Sequence, residues 1–391
     1  MRTEIKNNVL YCYPAGAVDS SNAKEFEAGI LDAMRVHPGC DTVLDMGGMT
    51  HISSAGLRVL LRITQEKGAP LILQNVSQDL YEILDVTGFT QLLDVRRSIR
   101  EISVEGCDFV GRGALGKVYR IDRDTIVKVF ENTDALDMIR TEQKRAKQAF
   151  LMGIPTAISY DIVRVGQKYG SVFEMVKAST FNDLIVAHPE RADELIRRYA
   201  GVIHRVHSTL AKPGDLPDAR EMYIGFLDKV KDVLKPETER RLRELILAVP
   251  EDLHVVHGDF HMKNVMLSDG EPMLIDMETL CAGNPVFDYA GLFVAYEAFN
   301  EDDPQNSMNF MGISDELCLA IWRGSLALDL GITDEEALRP IIDRVKVAGY
   351  VRFLYLLLIL RNGGEELLQT RVRHTLEHLD ELLGHVDSLA I

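Results

Sequence analysis

The stretch HVVHGDFHMKNVM, residues 254–266, concentrates polar chemistry in an otherwise apolar part of the sequence. Its apolar start indicates a strand, which ends on a polar loop that contains Asp259 and, further on, Asn264. Two more apolar runs, separated by an Asp-Gly turn, then lead to a third polar residue, Asp276. These residues are either the metal-binding and base groups of an active site or ordinary residues of loops and turns.

A glycine-rich loop lies upstream, where Gly111, Gly113, Gly116 and Val118 form the pattern GxGxxGxV. Glycines let backbone N–H groups approach phosphate oxygens closely. The same pattern occurs in dinucleotide-binding folds and in ordinary turns. The dinucleotide version requires a helix after the loop, and this sequence continues as an apolar strand, so we favour a triphosphate-binding loop.

Lys128 occupies the centre of the alternating apolar run TIVKVF, residues 125–130. A buried lysine is costly unless its ammonium group has a partner. In kinases a strand lysine contacts the donor phosphates and is held by a glutamate of the next helix, for which Glu142 is the candidate. The alternatives are a lysine that extends from the strand edge to solvent and a glutamate on a helix surface.

The polar residues of the quoted stretch fit phosphoryl transfer when they are taken with Lys128. The reaction requires a carboxylate near the attacking hydroxyl and oxygen ligands for Mg²⁺. Asp259 is the candidate base or hydroxyl-orienting carboxylate, and Asn264 and Asp276 are the candidate magnesium ligands. Taken singly, each is equally well a loop cap or a turn residue.

Residues from about 106 to 391 resemble the aminoglycoside phosphotransferase and choline kinase branch of the protein-kinase-like fold. The resemblance rests on HGDxxxxN at 257–264, on the Ile-Asp pair at 275–276, and on GNPVFDYA at 283–290. It implies a small β-rich N-lobe at about 106–176, a larger helical C-lobe at about 177–391, and ATP or GTP as the donor. It also implies a hinge at Glu174 and Val176, whose backbone binds adenine, and a structural anchor at Asp288.

The resemblance bears on the acceptor as well. Gly258 stands where protein kinases carry arginine, and no long activation segment follows, which favours a small-molecule hydroxyl over a protein substrate. The acidic residues at 301–303 and 315–316 either attract a cationic acceptor, such as an amine, or form a solvated loop. His261 and Lys263 either contact phosphate or are a packed histidine and an exposed lysine.

The first hundred residues alternate strand and helix patterns, which predicts a small α/β domain. Asn7 and Asn8 indicate a hairpin turn, Ser20 or Ser21 is the expected cap of a first helix, and Ser53 or Ser54 that of a second. The segment from Val43 to Leu61 resembles the STAS domain of anti-sigma-factor antagonists, which would span residues 1–102. That resemblance implies a partner protein and a phosphorylated serine at Ser54; a helix cap without a switch role is the alternative.

Composition limits the remaining possibilities. The formal net charge of −17 argues against a nucleic-acid-binding surface. Five scattered cysteines without CxxC spacing indicate a reducing compartment, and no run is long enough to span a bilayer, so we expect a cytoplasmic protein.

We therefore predict an α/β STAS-like domain fused, at about residue 103, to an α+β bilobal kinase that phosphorylates a small-molecule hydroxyl. Two alternatives stay open. One is a protein serine kinase of a STAS partner-switching pathway, and the other is a non-catalytic nucleotide-binding regulator.

Overall fold

The structure, a computed structural model, describes residues 1–112, 116–175, 178–268, 270–360 and 364–391. It divides into two units, Met1–Ser103 with Ile162–Gly166 and Val104–Asp161 with Gln167–Ile391. Within the described ranges, no helix combines the length and the hydropathy needed to cross a membrane.

The first unit contains a mixed five-stranded sheet and three helices. Its elements are β1 (Arg2–Lys6), β2 (Val9–Tyr13), β3 (Ala15–Val18), α1 (Ala23–Val36), β4 (Asp41–Asp45), β5 (Gly48–Ile52), α2 (Ser54–Lys67), β6 (Ile72–Val76), α3 (Gln78–Val86), β7 (Asp94–Arg97) and β8 (Arg100–Glu101). The sheet order is β1-β2-β4-β6-β7, in which only β1 and β2 run antiparallel, and β3 pairs separately with β5. This alternation confirms the α/β class predicted for the front of the chain.

Local sequence signals explain most boundaries of the first unit. Asn7 and Asn8 have φ of 48° and 64°, as a two-residue hairpin turn requires, which confirms the predicted turn. Ser53 caps α2, because its side chain accepts a hydrogen bond from Ala55 N–H. The prediction for α1 was wrong: Asn22 is the capping residue, and Ser21 instead bonds to Asp19.

The second unit begins with a β-rich segment. Its elements are β9 (Asp108–Arg112), β10 (Gly116–Arg120), β11 (Thr125–Phe130), α4 (Leu136–Leu151), β12 (Asp161–Val165) and β13 (Lys168–Glu174). Strands β9, β10, β11 and β13 form an antiparallel sheet in the order β9-β10-β11-β13. Most of β12 belongs to the first unit, where Val163 pairs in parallel with Arg100 of β8.

The rest of the second unit is mainly helical. Its helices are α5 (Phe181–Ala187), α6 (Ala192–His207), α7 (Ala219–Val230), α8 (Pro236–Ala248), α9 (Val286–Phe293), α10 (Asn306–Phe310), α11 (Asp315–Leu330), α12 (Glu335–Leu360) and α13 (Glu365–Leu382), with a π-helix at Val294–Ala298. Short strands interrupt them, namely β14 (Ser179–Thr180), β15 (Val255–Val256), β16 (Val265–Ser268), β17 (Glu271–Leu274) and β18 (Cys281–Ala282). The catalytic-loop candidate therefore lies between two short strands, above a core of packed helices.

Candidate active site

The described glycines of the glycine-rich pattern, Gly111 and Gly116, lie in β9 and β10. Val118 pairs with Gly111 on one side and with Lys128 on the other. Gly116 has a packing role in the sheet, because a Cβ there would lie 2.2 Å from the Val129 carbonyl oxygen. Gly113 lies outside the described residues.

The predicted hinge follows β13. Glu174 is exposed at the end of this strand and pairs with Thr125. Met175 N–H donates to the carbonyl of Asp124 at 2.8 Å, which fixes the backbone just beyond the strand. Val176 lies outside the described residues, so the adenine contact stays a prediction.

Lys128 brings two of the predicted acids together. Its ammonium group contacts Asp276 and lies 3.8 Å from Glu142 Oε1, with only 13% of the lysine side chain exposed. Burial opposes the lysine charge, but Asp276 and Glu142 outweigh it and raise the pKa of Lys128. Burial also raises the pKa of Glu142 to about 7, against the opposing effect of the Lys128 charge. The alternative of a solvent-directed strand lysine is therefore wrong.

A further acid, Glu278, lies beside this group. Burial raises its pKa, and the Lys128 charge opposes that shift. Glu278 stands two positions after Asp276 in the run IDME, and this spacing was the sequence signal that could have identified it. Asp276 itself adopts a left-handed backbone with φ of 58°, a strained conformation that is enriched at functional sites.

The loop after β15 joins the other two predicted residues. Asn264 Nδ2 donates to the Asp259 carbonyl at 2.9 Å and to Asp259 Oδ2 at 3.1 Å. An amide whose N–H groups are held in this way offers its oxygen to a cation. Burial opposes the charge of Asp259, but His261 and Arg352 outweigh it and hold the pKa of this carboxyl below its usual value.

His257 ties this loop to the strand that precedes Asp276. Its Nε2 lies 3.1 Å from the carbonyl of Ile275, and its Nδ1 accepts a hydrogen bond from Asp259 N–H at 3.3 Å. One neutral tautomer, protonated at Nε2, satisfies both bonds. Ile275 N–H also donates to the carbonyl of Asn264 at 3.0 Å, so the loop and the strand hold each other in place.

Asp288 holds the backbone of the same loop, as predicted. Its carboxylate accepts the N–H groups of His257 at 2.9 Å and Gly258 at 2.6 Å. His207 continues this network with Nε2 at 3.0 Å from Asp288 and Nδ1 at 2.7 Å from Asp329. His207 and Asp329 lie far from the loop in sequence, and no local pattern identifies them.

Arg352 of α12 is another residue that sequence reasoning missed. Its Nη2 donates to Asp259 Oδ1 at 2.8 Å, and its Nη1 donates to the carbonyl of Gly258. It stands in an apolar helical run that predicts a buried helix and gives no sign of the contact. His261 Nε2 approaches the other Asp259 oxygen at 3.5 Å, and its ring packs edge-on against Phe310.

The acidic residues at 301–303 are paired within the chain. Glu301 accepts a hydrogen bond from the Tyr350 hydroxyl at 2.7 Å and lies 3.5 Å from His378 Nδ1. Asp302 and Asp303 pair with His374 and Arg371 of α13, at 2.5 Å and 3.6 Å. These partners within the chain argue against a cation-attracting cluster, while Glu301 remains exposed in its loop, as the second interpretation expected.

The first unit presents two serines at the start of α2. Ser53 is the cap, and Ser54, the first residue of the helix, is exposed. The exposed hydroxyl lies at the positive end of the helix dipole, which favours added phosphate charge.

Comparisons with known proteins follow the division into two units. Residues 107–321 match the family described as the phosphotransferase enzyme family, and residues 1–102 match the STAS domain. Streptomycin 6-kinase of Streptomyces griseus is 35% identical over 113 residues, which are 26% of this chain and 36% of that kinase. The chain thus spans about a third of the length of this relative.

The front of the chain has a relative of its own. The putative anti-sigma factor antagonist BtrV of Bordetella bronchiseptica is 34% identical over 87 residues, 21% of this chain and 73% of that protein. Among solved structures, a thermostable aminoglycoside phosphotransferase in its apo form has 14% identity and a TM-score of 0.48, over 71% of this chain and 94% of that chain.

Proposed function

We propose that this chain, which belongs to the phosphotransferase enzyme family and carries a STAS domain, transfers the γ-phosphate of ATP or GTP to a hydroxyl group of a small molecule. One observation carries the proposal. The loop of Asp259 and Asn264 is hydrogen-bonded to the strand that delivers Asp276, and Asp276 in turn contacts Lys128. The residues that we propose to bind the donor and the acceptor are thereby linked to one another, which supports phosphoryl transfer.

Magnesium fits the donor set. Asn264 and Asp276 would hold the ion, because amide and carboxylate oxygens are the ligands that Mg²⁺ prefers. Two protein oxygens suffice, since Mg²⁺ commonly completes its coordination with water and substrate phosphates. When bound, the ion would neutralise charge on the phosphates.

In this proposal Asp259 orients the acceptor. A carboxyl whose pKa lies below its usual value is ionised at neutral pH, so it accepts a hydrogen bond from the incoming hydroxyl group. Its side chain is 35% exposed, which leaves one side open to an acceptor. Lys128 and the glycine-rich loop hold the donor phosphates, and Glu142 holds Lys128.

A screen of hydroxyl compounds for stimulated ATP turnover tests the proposal, with aminoglycosides, amino alcohols and sugars in the panel. We expect at least one compound to become phosphorylated by the wild-type chain, and at a much lower but measurable rate by the Asp259→Asn variant. The acids at 301–303 pair with residues of the chain itself, so they give no reason to expect a polycationic acceptor. The panel therefore includes uncharged compounds. Phosphate that appears only on protein would overturn the small-molecule proposal.

A second candidate function rests on the exposure of Ser54 in the STAS domain. Here the chain acts as a serine kinase on its own STAS domain or on that of a partner protein. Labelled ATP separates the two functions, since label on Ser54 or on added STAS domains would support this one. A non-catalytic regulator would instead retain its biological activity when Asp259 is replaced by asparagine.

The five cysteines are unbridged. Free thiols fit a reducing compartment, and the cytoplasm is the location we propose.

A further inference from the structure

Arg352 is a buried cation that points into the catalytic loop. It lies on α12, a helix of 26 residues, and only 8% of its side chain is exposed. A guanidinium group at such depth is costly unless its N–H groups find acceptors. The acceptors here belong to the loop residues Gly258 and Asp259, 94 and 93 positions away in sequence.

Two glycines of α9 and α12 leave space for the Arg352 guanidinium group. Gly291 of α9 faces the guanidinium, and a Cβ at that position would lie 3.0 Å from Arg352 Nη1 and 3.4 Å from the Gly258 carbonyl oxygen. Gly349, one turn before Arg352, lets α12 approach α9, since a Cβ there would lie 2.3 Å from the ring of Phe293. The two helices therefore pack closely enough for Arg352 to reach the loop.

Arg352 completes the restraint of the Asp259 carboxylate. Oδ1 accepts from Arg352 at 2.8 Å, and Oδ2 accepts from Asn264 at 3.1 Å. Because both carboxylate oxygens accept hydrogen bonds, the plane of the Asp259 carboxylate is fixed. The exposed part of this side chain therefore faces solvent at one fixed angle. The backbone of the loop has a second anchor in Asp288, which accepts the N–H groups of His257 and Gly258.

We propose that Arg352 is the positioning residue of Asp259, which fixes the carboxylate at the angle that receives the acceptor hydroxyl group. The inference rests on the proposed function of this site. The Gly258 carbonyl accepts one of the two hydrogen bonds that Arg352 donates, and Gly258 has no side chain that could bind Asp259. A residue of a distant helix thus provides the guanidinium.

Replacement of Arg352 by methionine tests the proposal, with MgATP turnover measured as ADP release, with and without the acceptor found in the screen. We expect kcat to fall about 10–100-fold, as for other residues that orient a catalytic group, with little change in KM for ATP. Lysine at position 352 keeps the charge and loses the two-pronged contact, so an intermediate kcat is expected. Arg344→Met is the matched control, because Arg344 lies on the same helix and donates to the carbonyl of Ala390 at 2.7 Å.

A double-mutant cycle separates positioning from a structural role. In an Asp259→Asn background, Arg352→Met should change the residual kcat by less than about two-fold, because the carboxylate that Arg352 orients is absent. Equal kcat losses in both backgrounds, or a loss no larger than that of Arg344→Met, would overturn the proposal.

The same double-mutant cycle can be measured by thermal unfolding, a readout that does not depend on enzymatic activity. Trp322, the only tryptophan of the chain, lies in the second unit and reports the unfolding of that unit by its fluorescence. We expect Arg352→Met to lower the Tm less in the Asp259→Asn background than in wild type. If the wild-type chain phosphorylates nothing, the proposed function fails. The difference between the two Tm changes still decides whether Arg352 holds Asp259. If Arg352→Met lowers the Tm equally in both backgrounds, Arg352 does not hold Asp259.

Discussion

His207 Nε2 lies 3.0 Å from Asp288 Oδ2 in the interior of the second unit. The same carboxylate holds the backbone of the loop that we propose to be catalytic, so the charge of a buried histidine is linked to the position of that loop. Burial opposes the charge of His207, but Asp288 and Asp329 outweigh it and raise the pKa of this imidazole to about 9.

The first prediction concerns stability and pH. The folded pKa of His207 lies above the ordinary histidine value of 6.5, so its contribution is fully present below pH 6.5 and is lost as the pH rises through about 9. This contribution is on the order of 3 kcal/mol of unfolding free energy. Denaturation followed by Trp322 fluorescence should show a flatter pH profile for His207→Gln. The exposed His188→Gln variant should keep the wild-type profile, and the assignment fails if both variants behave alike.

The second prediction concerns Gly258. Its φ is 81°, and a Cβ there would lie 2.7 Å from the carbonyl oxygen of Thr279. Gly258→Ala should therefore destabilise the second unit by about 1–3 kcal/mol. Gly201→Ala is the matched control, because Gly201 lies in α6 with nothing within 4 Å of its added Cβ. That change should stabilise the helix by about 0.5–1 kcal/mol, so the two variants should differ in sign.

Lys128 provides the third prediction. Lys128→Met removes the charge that faces Asp276 and Glu142, and we expect kcat/KM for ATP to fall about 10²–10³-fold. Lys168→Met, on the neighbouring strand β13, serves as the control, since Lys168 is 39% exposed and pairs with Glu131. Comparable losses in the two variants would show that a general charge effect, and not a donor contact, is being measured.

Asn264 and Asp259 should respond differently to magnesium, and this is the fourth prediction. Asn264→Ala removes a proposed ligand, so the Mg²⁺ concentration for half-maximal turnover should rise about 10–100-fold. Asp259→Asn should lower turnover at every Mg²⁺ concentration without moving the midpoint. A wild-type midpoint for Asn264→Ala would remove this residue from the metal site.

The fifth prediction separates the two serines of the STAS domain. Ser53→Ala removes the α2 cap and should cost about 1 kcal/mol of stability. Ser54→Ala leaves the cap in place and should be nearly neutral for stability, while it abolishes any phosphorylation at the start of α2. Phosphopeptide mapping after incubation with ATP tests this prediction, and label on Ser53 would contradict it.

The groups that sequence reasoning identified are those whose signal is local. Lys128 interrupts an alternating strand, and Asp259 and Asn264 share one loop, so each is visible within a few residues. Arg352 and His207 act through contacts that form only when distant helices pack. The residues on either side of each in sequence are typical of a buried helix and do not indicate these contacts. The sequence also assigned Gly258 to acceptor choice alone, whereas its backbone angle and its contact with Thr279 require glycine whatever the acceptor.

The first unit is assembled from two separate segments of the chain, because Ile162–Gly166 joins it from inside the sequence of the second. A recombinant fragment that starts at Val104 keeps β12 but loses β8, its parallel partner, and leaves unpaired backbone groups at a strand edge. A fragment that stops at Ser103 lacks the inserted strand instead. A cut between β7, which ends at Arg97, and β8, which begins at Arg100, instead leaves the sheet β1-β2-β4-β6-β7 whole and keeps β8 with β12. An exchange of the STAS domain with that of another protein is therefore best made at this point of the sequence.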